Sequence, residues 1–456
     1  MTDSRVTSAP PAASPAPEPA GRAPAIPRLH VETFPVGDIR MLVPLLDARH
    51  PLLWIRKGQG MAGRGEALRL EFTGSTRFRD ACEAWRQVTA AATVVDPLGT
   101  PGTGLIAFGA FAFSGQSALT SVLIVPELVI GKRDGVFWLT RVRVLAEGET
   151  VGDPGTAPSG HPESSPTAAP SAAPALPAAT AFGAEYRISL LPGRANADTY
   201  RAAVEQAVRA IGAGDLEKVV LARDLVGHLP GDSDLRRVIF DLALGYPDCW
   251  TFAVDGLIGS SPETLVRVDH GTVSARVLAG TISRGRDAEA DHDQAVALAT
   301  SAKDLDEHRF AVASVMTALA PHSQTVIASE IPFTLKLPNL WHLASDVEGA
   351  LSDGSSSLDL IAALHPTAAV AGTPTLDALA LIERLEPFDR GRYAGPVGWV
   401  GADGEGEWAV ALRCAQVNEA GDITAYAGAG IVAGSDPQHE LLETKMKFRP
   451  MVEAFG

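Results

Sequence analysis

Cysteine is scarce: Cys82, Cys249 and Cys414 are the only three in 456 residues. They are widely spaced and form no CxxC pair, which excludes a disulfide framework and points to a reducing compartment. A cationic surplus is missing too. The chain has 38 Lys and Arg against 54 Asp and Glu, a net charge of −16. That argues against nucleic acid as a partner, because non-specific binding depends on Lys and Arg neutralising phosphates. A small anionic substrate is not excluded, since a pocket can be basic inside an acidic protein. Long apolar runs are lacking as well. The most apolar region, about Gly104 to Ile130, is interrupted by Gly109, Ser114, Gln116, Ser117 and Pro126, so it reads as buried strands rather than a membrane span. No basic segment followed by an apolar run appears at the N-terminus, and the expectation is a cytoplasmic protein without a signal peptide. Neither GxGxxG after a strand nor GxxxxGK[ST] is present, and no Cys/His set has zinc-ligand spacing.

What is present is a globular composition, 46% hydrophobic and 20% charged, with length enough for one large or two ordinary domains. Two stretches have little to pack. Met1 to Pro27 is rich in Pro, Ala and Ser and is expected to be a disordered tail. Gly152 to Thr180 has the same bias and reads as either an interdomain linker or an inserted loop. Between them lie short apolar runs (Leu52–Trp54, Leu68–Phe72, Phe108–Phe113, Val122–Ile130, Val136–Val144), with Asp134-Gly135 as a hairpin turn. Arg77 to Ala92 has helical spacing. Further on, Asp198 is a candidate cap for a helix carrying Tyr200, Val204, Val208 and Ile211, closed by Gly212. Strands are expected at Lys218–Arg223, Cys249–Val254, Thr264–Val268, Val273–Leu278, Trp399–Val400 and Trp408–Ala415. Helices are expected at Asp291–Ala320 and Ser357–Leu364. Hairpins and helices mix without βαβ alternation, so the class is α+β.

Three features could carry chemistry. In the helix around Asp304, Asp304, Glu307 and His308 lie at i, i+3 and i+4 and share one side. Near the end, a Gly/Ala-rich run from Ala427 to Gly434, read as an exposed-backbone loop, leads into a helix whose Glu440, Glu443 and Lys447 share a face. Paired acids on two helices suit a hard cation such as Mg2+; solvated surface helices would show the same spacing. His308 by itself reads as a hydrogen-bonding helix residue. The third feature is scattered. Lys218 opens an apolar strand, where a lysine can act as a base or simply reach solvent. Glu263 sits in a turn entering a strand. Arg413 is flanked by apolar residues, and a buried arginine needs an anion, either an internal carboxylate or a substrate's.

Taken in order, these residues resemble the chorismate-binding enzyme family. The matching segments are KVVLAR at Lys218, GSSPET ending at Thr264, LAGTISRG from Leu278, SAKDLDEH from Ser301, HPTAAVAG from His365, RGRYAGPVGW ending at Trp399, GEWAVALR ending at Arg413 and AYAGAGIVAGSDPQHELLETKMK ending at Lys447. They span about Leu190 to Lys447, and GAFAF at Gly109–Phe113 with VPELVI at Val125–Ile130 extends the likeness into the first half. The resemblance implies one α+β domain over residues 28–456, with two stacked antiparallel sheets and helices packed outside. The tract at 152–180 is then a loop inserted within it.

The resemblance also implies Mg2+ and chorismate. It assigns the metal to Glu307 and Glu443, with Asp304 and Glu440 as nearby acids, the general base to Lys218 and the general acid to Glu263. Arg413 and Tyr393 are assigned to the enolpyruvyl carboxylate. His365, Thr367 and Lys447 are placed in the pocket wall, and Gly428 and Gly430 offer backbone N–H groups to a carboxylate. Water would add at C2 of chorismate while the C4 hydroxyl leaves, giving isochorismate. That needs a lysine tuned down and a glutamate tuned up. One departure is that KDLDEH carries Asp304 and Asp306 where longer side chains are more familiar, so the water-mediated part of a metal shell would differ.

Within the family, Lys218 counts against anthranilate synthases, which lack it. Aminodeoxychorismate synthases can keep a lysine there, but no tryptophan-binding regulatory pattern is evident near the N-terminus. Salicylate synthases share both Lys and Glu. Ala368 and Ala369 in HPTAAVAG, with AGAGIVAGSDP, are more similar to isochorismate synthases of the menaquinone and siderophore routes. A monomer without an obligate protein partner is the corresponding expectation.

Overall fold

The computed structural model describes residues 26–146, 148–149 and 175–456. The expected tail at 1–27 and the tract at 152–180 therefore fall almost entirely outside the described residues. The rest forms two large β-sheets with helices packed around them, the α+β arrangement read from the sequence.

One sheet has 13 strands. Its order runs from Leu191–Pro192 through Lys218–His228, Asp422–Ile431, Cys414–Val417, Leu257–Ser261, Trp250–Val254, Leu52–Arg56, Gln59–Arg64, Leu128–Arg133, Val136–Val144 and Leu29–Pro35 to Thr93–Val95, with Gly372–Thr373 also paired to Lys218–Val219. The second has 10 strands, from Ser323–Ala328 through Leu340–Leu351, Thr272–Ser283, Thr264–Asp269, Gly406–Val410, Pro396–Gly401, Ile106–Ala110 and Ser121–Val125 to Leu68–Phe72, with Phe333–Lys336 added on Leu340–Leu351. Pairing is antiparallel apart from the parallel edge of Leu29–Pro35 with Thr93–Val95, so the first sheet is mixed there.

The apolar strands have a simple cause. Successive side chains of a strand point to opposite faces, and here both faces are covered. Trp54 packs in the core between the sheets, while its neighbours Leu53 and Ile55 belong to a second core against the helices Arg236–Gly245 and Pro437–Phe455. Strands buried on both sides read as continuous apolar runs, which is what LLWI and WTFAV are. On the far face of the 10-stranded sheet lie the helices Arg77–Ala91, Ala302–Leu319 and Ser357–Leu364. No helix among the described residues is long and apolar enough to cross a membrane.

Glu407 is a buried charged residue between the sheets, 2% exposed. It accepts from Trp54 Nε1 at 3.0 Å and Trp399 Nε1 at 3.3 Å, and it pairs with Arg133 Nη2 at 2.8 Å and Arg267 Nε at 3.3 Å. Neutralising it would leave two arginines facing an uncharged group. Glu407→Gln is expected to lower stability by about 2 kcal/mol, the cost of a buried polar group left short of its partner, read as a lower urea midpoint.

Several elements differ from the sequence reading. The expected helix at Asp291–Ala320 is two helices, Ala288–Thr300 and Ala302–Leu319, because Ser301 ends one and caps the next, its Oγ accepting from Asp304 N at 3.3 Å. The cap of helix Ala197–Gly212 is Asn196 rather than Asp198; its Oδ1 accepts from Asp198 N and Thr199 N, both at 3.0 Å. Trp408–Ala415 is not one strand. Gly406–Val410 belongs to the 10-stranded sheet and Cys414–Val417 to the 13-stranded one, so Ala411 to Arg413 cross between them. Ala427 to Ile431 of the Gly/Ala run end a buried strand, Asp422–Ile431, paired along its length with Lys218–His228, while Ala433 and Gly434 form an exposed turn. Glycine content suggested a loop throughout; close packing is the reason for Gly428 and Gly430 instead.

Candidate active site

The chain passes between the two sheets at two places that touch. Pro262 and Glu263 lead from strand Leu257–Ser261 into Thr264–Asp269, and Ala411 to Arg413 lead back from Gly406–Val410 into Cys414–Val417. Val410 N donates to Glu263 O at 3.2 Å and Ser260 N to Arg413 O at 3.1 Å. A cavity of about 680 Å3 opens beside this double crossing. Lys218, Glu263, Asp304, Glu307, Tyr393, Arg413, Gly428, Gly430, Glu440, Glu443 and Lys447 all line it. Residues more than 200 positions apart in sequence thus share one space.

Glu263 is 6% exposed, and burial raises its carboxyl to about 7, against the lowering effect of Arg413, Lys218 and Lys447. A carboxylic acid in this range holds a proton near neutrality. Lys218 lies at the start of its strand, and its Nζ donates to Glu307 Oε1 at 2.6 Å. Gly430, opposite Val220 in the neighbouring strand, makes room for it: a Cβ there would stand 2.9 Å from Lys218 Cε. Gly428 does the same for Tyr393, whose Oη would be 3.1 Å from such a Cβ.

Arg413 is buried, and desolvation lowers its pKa. Its Nη2 lies 3.5 Å from His342 Nε2. Among the described residues it forms no ion pair, although Glu443 and Glu263 act on its charge from across the cavity. Tyr393 stacks on Tyr426 with ring centroids 5.3 Å apart, and burial pushes its phenol upward, keeping it protonated. The last helix is capped by Asp436, whose carboxylate accepts from His439 N at 2.8 Å, with Pro437 in its first turn. From that helix Lys447 Nζ reaches Gly428 O at 2.9 Å and Glu443 Oε1 at 2.6 Å.

Two residues assigned to the wall do not line the cavity. His365 is clamped between Phe78 and Phe113, each with its ring centroid 5.5 Å away, and its Nε2 donates to Phe113 O at 2.9 Å. Burial lowers its pKa to about 4, so the ring is neutral. Thr367 borders a small space behind Glu263, and its buried Oγ1 has no hydrogen-bond partner among the described residues. From the same segment it is Ala369 and Val370 that face the cavity. His308 also lies away from it, its ring nitrogens set against Ala279 O at 3.3 Å and Ser345 Oγ at 2.9 Å.

One lining residue, His342, lies outside every segment quoted from the sequence. His342 is buried, and its pKa is pushed well below the ordinary imidazole value by desolvation, Arg413 and Lys447. As a neutral ring accepting at Nε2 from Arg413, it donates from Nδ1 to Thr281 Oγ1 at 2.9 Å. Thr281 and Leu412 line the cavity beside it. Strand pairing brings Thr281 opposite His342; no local motif marks a partner 61 residues away.

The metal that the family likeness implies needs oxygen donors. Glu307 and Glu443 come from different helices, and their side chains keep 23% and 25% exposure. With Asp304 and Glu440 they form an all-carboxylate set, the hard donors Mg2+ takes, usually through one or two carboxylates with waters completing the shell. In kind the residues fit. In spacing they do not form a compact cluster: among the described residues the group with ligand atoms within 4.8 Å of one another is Asp269, His270 and Glu405 at an outer hairpin. Glu307 and Glu443 are instead each held by a lysine, Lys218 and Lys447.

Comparison with known proteins agrees with this architecture. The pattern of the family described as "Chorismate binding enzyme" matches residues 48–456. Isochorismate synthase DhbC of Bacillus subtilis (strain 168) is 41% identical over 286 residues, 60% of this chain and 71% of that protein. The salicylate biosynthesis isochorismate synthase of Pseudomonas aeruginosa is 33% identical over 440 residues, 93% of this chain and 89% of that one. The crystal structure of DhbC from Bacillus anthracis superposes with a TM-score of 0.71 at 30% identity, covering 91% of this chain and 98% of its own. MenF of Escherichia coli shares the fold, with a TM-score of 0.73 at 24% identity over 95% and 96% of the two chains.

Proposed function

The chain belongs to the chorismate-binding enzyme family, and we propose that it interconverts chorismate and isochorismate. The observation that carries this reading is one cavity holding a glutamate that keeps its proton near neutrality, a lysine, and a buried arginine that forms no ion pair among the described residues. Chorismate is a dianion, and a site for it must first supply counter-charge. Arg413 and the protonated Tyr393 hold the enolpyruvyl carboxylate. Lys218, once deprotonated, takes a proton from the water that attacks C2. Glu263 gives its proton to the hydroxyl leaving C4, which departs as water. One water enters and one leaves, so the reaction is an isomerisation. Glu307 and Glu443 would hold Mg2+, which when bound neutralises the ring carboxylate and draws electron density from the diene.

The relatives named above as isochorismate synthases support the same reaction, and the small Ala369 at the cavity wall is in keeping with it. The test is to incubate the purified protein with chorismate and Mg2+, without an amine donor, and resolve the products chromatographically. A chorismate–isochorismate mixture approached from either side, free of salicylate and pyruvate, is expected. Salicylate with equimolar pyruvate would make it a salicylate synthase, and no product until ammonia is added would make it an amine-adding enzyme.

Metal dependence gives a second check. Chelation is expected to abolish turnover and added Mg2+ to restore it. Glu443→Gln should raise the Mg2+ concentration needed for half-maximal rate by about tenfold or more, the scale on which metal sites lose affinity when even a supporting group is removed. An unchanged metal titration would remove Glu443 as a ligand.

A further inference from the structure

Among the described residues, six other than glycine have a positive φ: Lys57, Asp134, Asp255, His270, Ala394 and Arg413. Four of them open two-residue hairpin turns and are followed by glycine, at 57–58, 134–135, 255–256 and 270–271. A left-handed backbone at both central positions is what such turns require. The turn explains these four.

Ala394, with φ of 62°, and Arg413, with φ of 48°, are in no hairpin. Both are buried and both line the cavity. They are also joined: Ala394 N donates to Ala411 O at 2.9 Å and Ala411 N to Gly395 O at 2.8 Å, two residues before Arg413. A side chain with a Cβ resists this region, and outliers of the kind persist where the surroundings over-determine them, often at functional sites. Glycine is used next door, at 395, where a Cβ would stand 2.1 Å from Phe111 O. At 394 the chain keeps a methyl group against its backbone preference.

We propose that Ala394 is a positioning residue for substrate binding. Its methyl group is buried in the hydrophobic core. That packing and the shared Ala411 hydrogen bonds hold segment 393–395 in its left-handed arrangement against the backbone preference, and the arrangement sets the direction of Tyr393 on one side and of Arg413 on the other. Glycine at 394 would reach the same conformation without cost, but would reach others as well. The inference rests on the assignment of Tyr393 and Arg413 to a substrate carboxylate.

The test is Ala394→Gly beside Asp134→Gly, which makes the same change at an exposed hairpin outside the cavity. Wild-type turnover of chorismate is measured first, and its absence would remove the functional reading and the positioning role with it. With wild-type turnover present, Ala394→Gly is expected to leave Tm unchanged or higher while raising KM for chorismate by about five- to tenfold and changing kcat by less than about twofold, since loss of binding made equally with substrate and transition state raises KM and leaves kcat as it was. Asp134→Gly is expected to leave KM as in the wild type. A wild-type KM in Ala394→Gly, or a KM that worsens only together with a fall in Tm, would overturn the positioning role and leave the reaction assignment standing.

Discussion

Lys218→Ala is expected to lower kcat by about 10^2–10^4-fold, the range that one positioned proton-transfer group contributes, while Mg2+-dependent chorismate binding stays measurable by calorimetry. The reason lies in where Lys218 sits in this cavity. It has a nitrogen that can lose a proton, a position at the head of a strand, and the space left by Gly430. Its 2.6 Å contact with Glu307 offers a rival explanation, in which the lysine serves only as the glutamate's counter-ion. Lys218→Arg separates the two. Arginine keeps the charge and can pair with Glu307, but it does not give up its proton in proteins. Recovery of turnover in Lys218→Arg would make the residue an ion-pair partner; continued loss, with substrate still bound, is the result expected of a base. Normal turnover in Lys218→Ala would remove the role altogether.

The same cavity shows how far sequence can be read and where it stops. Glu440, Glu443 and Lys447 were legible because helical spacing alone puts them on one face, and all three line the cavity. Asp304 and Glu307 were legible for the same reason. Local periodicity is enough when the chemistry lies along one helix. His342 was invisible because its partner Thr281 is brought opposite by strand pairing, and nothing in either segment announces the other. The crossing at Ala411 to Arg413 was hidden by uniformity: Trp408 to Ala415 is apolar apart from Arg413, so the change of sheet left no break in pattern. The Gly/Ala run misled in the opposite direction. Gly428 and Gly430 serve the space beside Tyr393 and Lys218 rather than a turn, and composition does not distinguish a glycine needed for φ from one needed for room. His365 had a motif, but packing turns its ring away from the cavity and onto Phe113 O. Chain order carried the fold well; which side of a wall a residue faces depended on packing that only the assembled sheets define.

Glu263→Gln carries the other large effect, and it has a sign that pH can test. Burial raises the Glu263 carboxyl from the ordinary 4.5 to about 7. As the acid it must enter the reaction protonated, so wild-type kcat/KM on the Glu263 limb should fall as pH rises through about 7. The amide has no such proton to give, and Glu263→Gln is expected to lower kcat by about 10^2–10^4-fold and to lose that limb in any residual activity. Stability should move the other way. A folded pKa above the unfolded one means that the native state holds the proton more tightly, a contribution fully present below about 4.5 and lost as pH rises through about 7. Above that range the native state carries a buried carboxylate, at a cost of roughly 3 kcal/mol for a shift of this size. Glu263→Gln should therefore unfold at a higher temperature than the wild type at pH 8, show a smaller difference at pH 5, and have a flatter Tm between those values. A variant that loses activity but keeps the wild-type dependence of Tm on pH would show that Glu263 is not the group holding the proton. A variant with the flattened Tm profile and full activity would show that the proton is held there but not used.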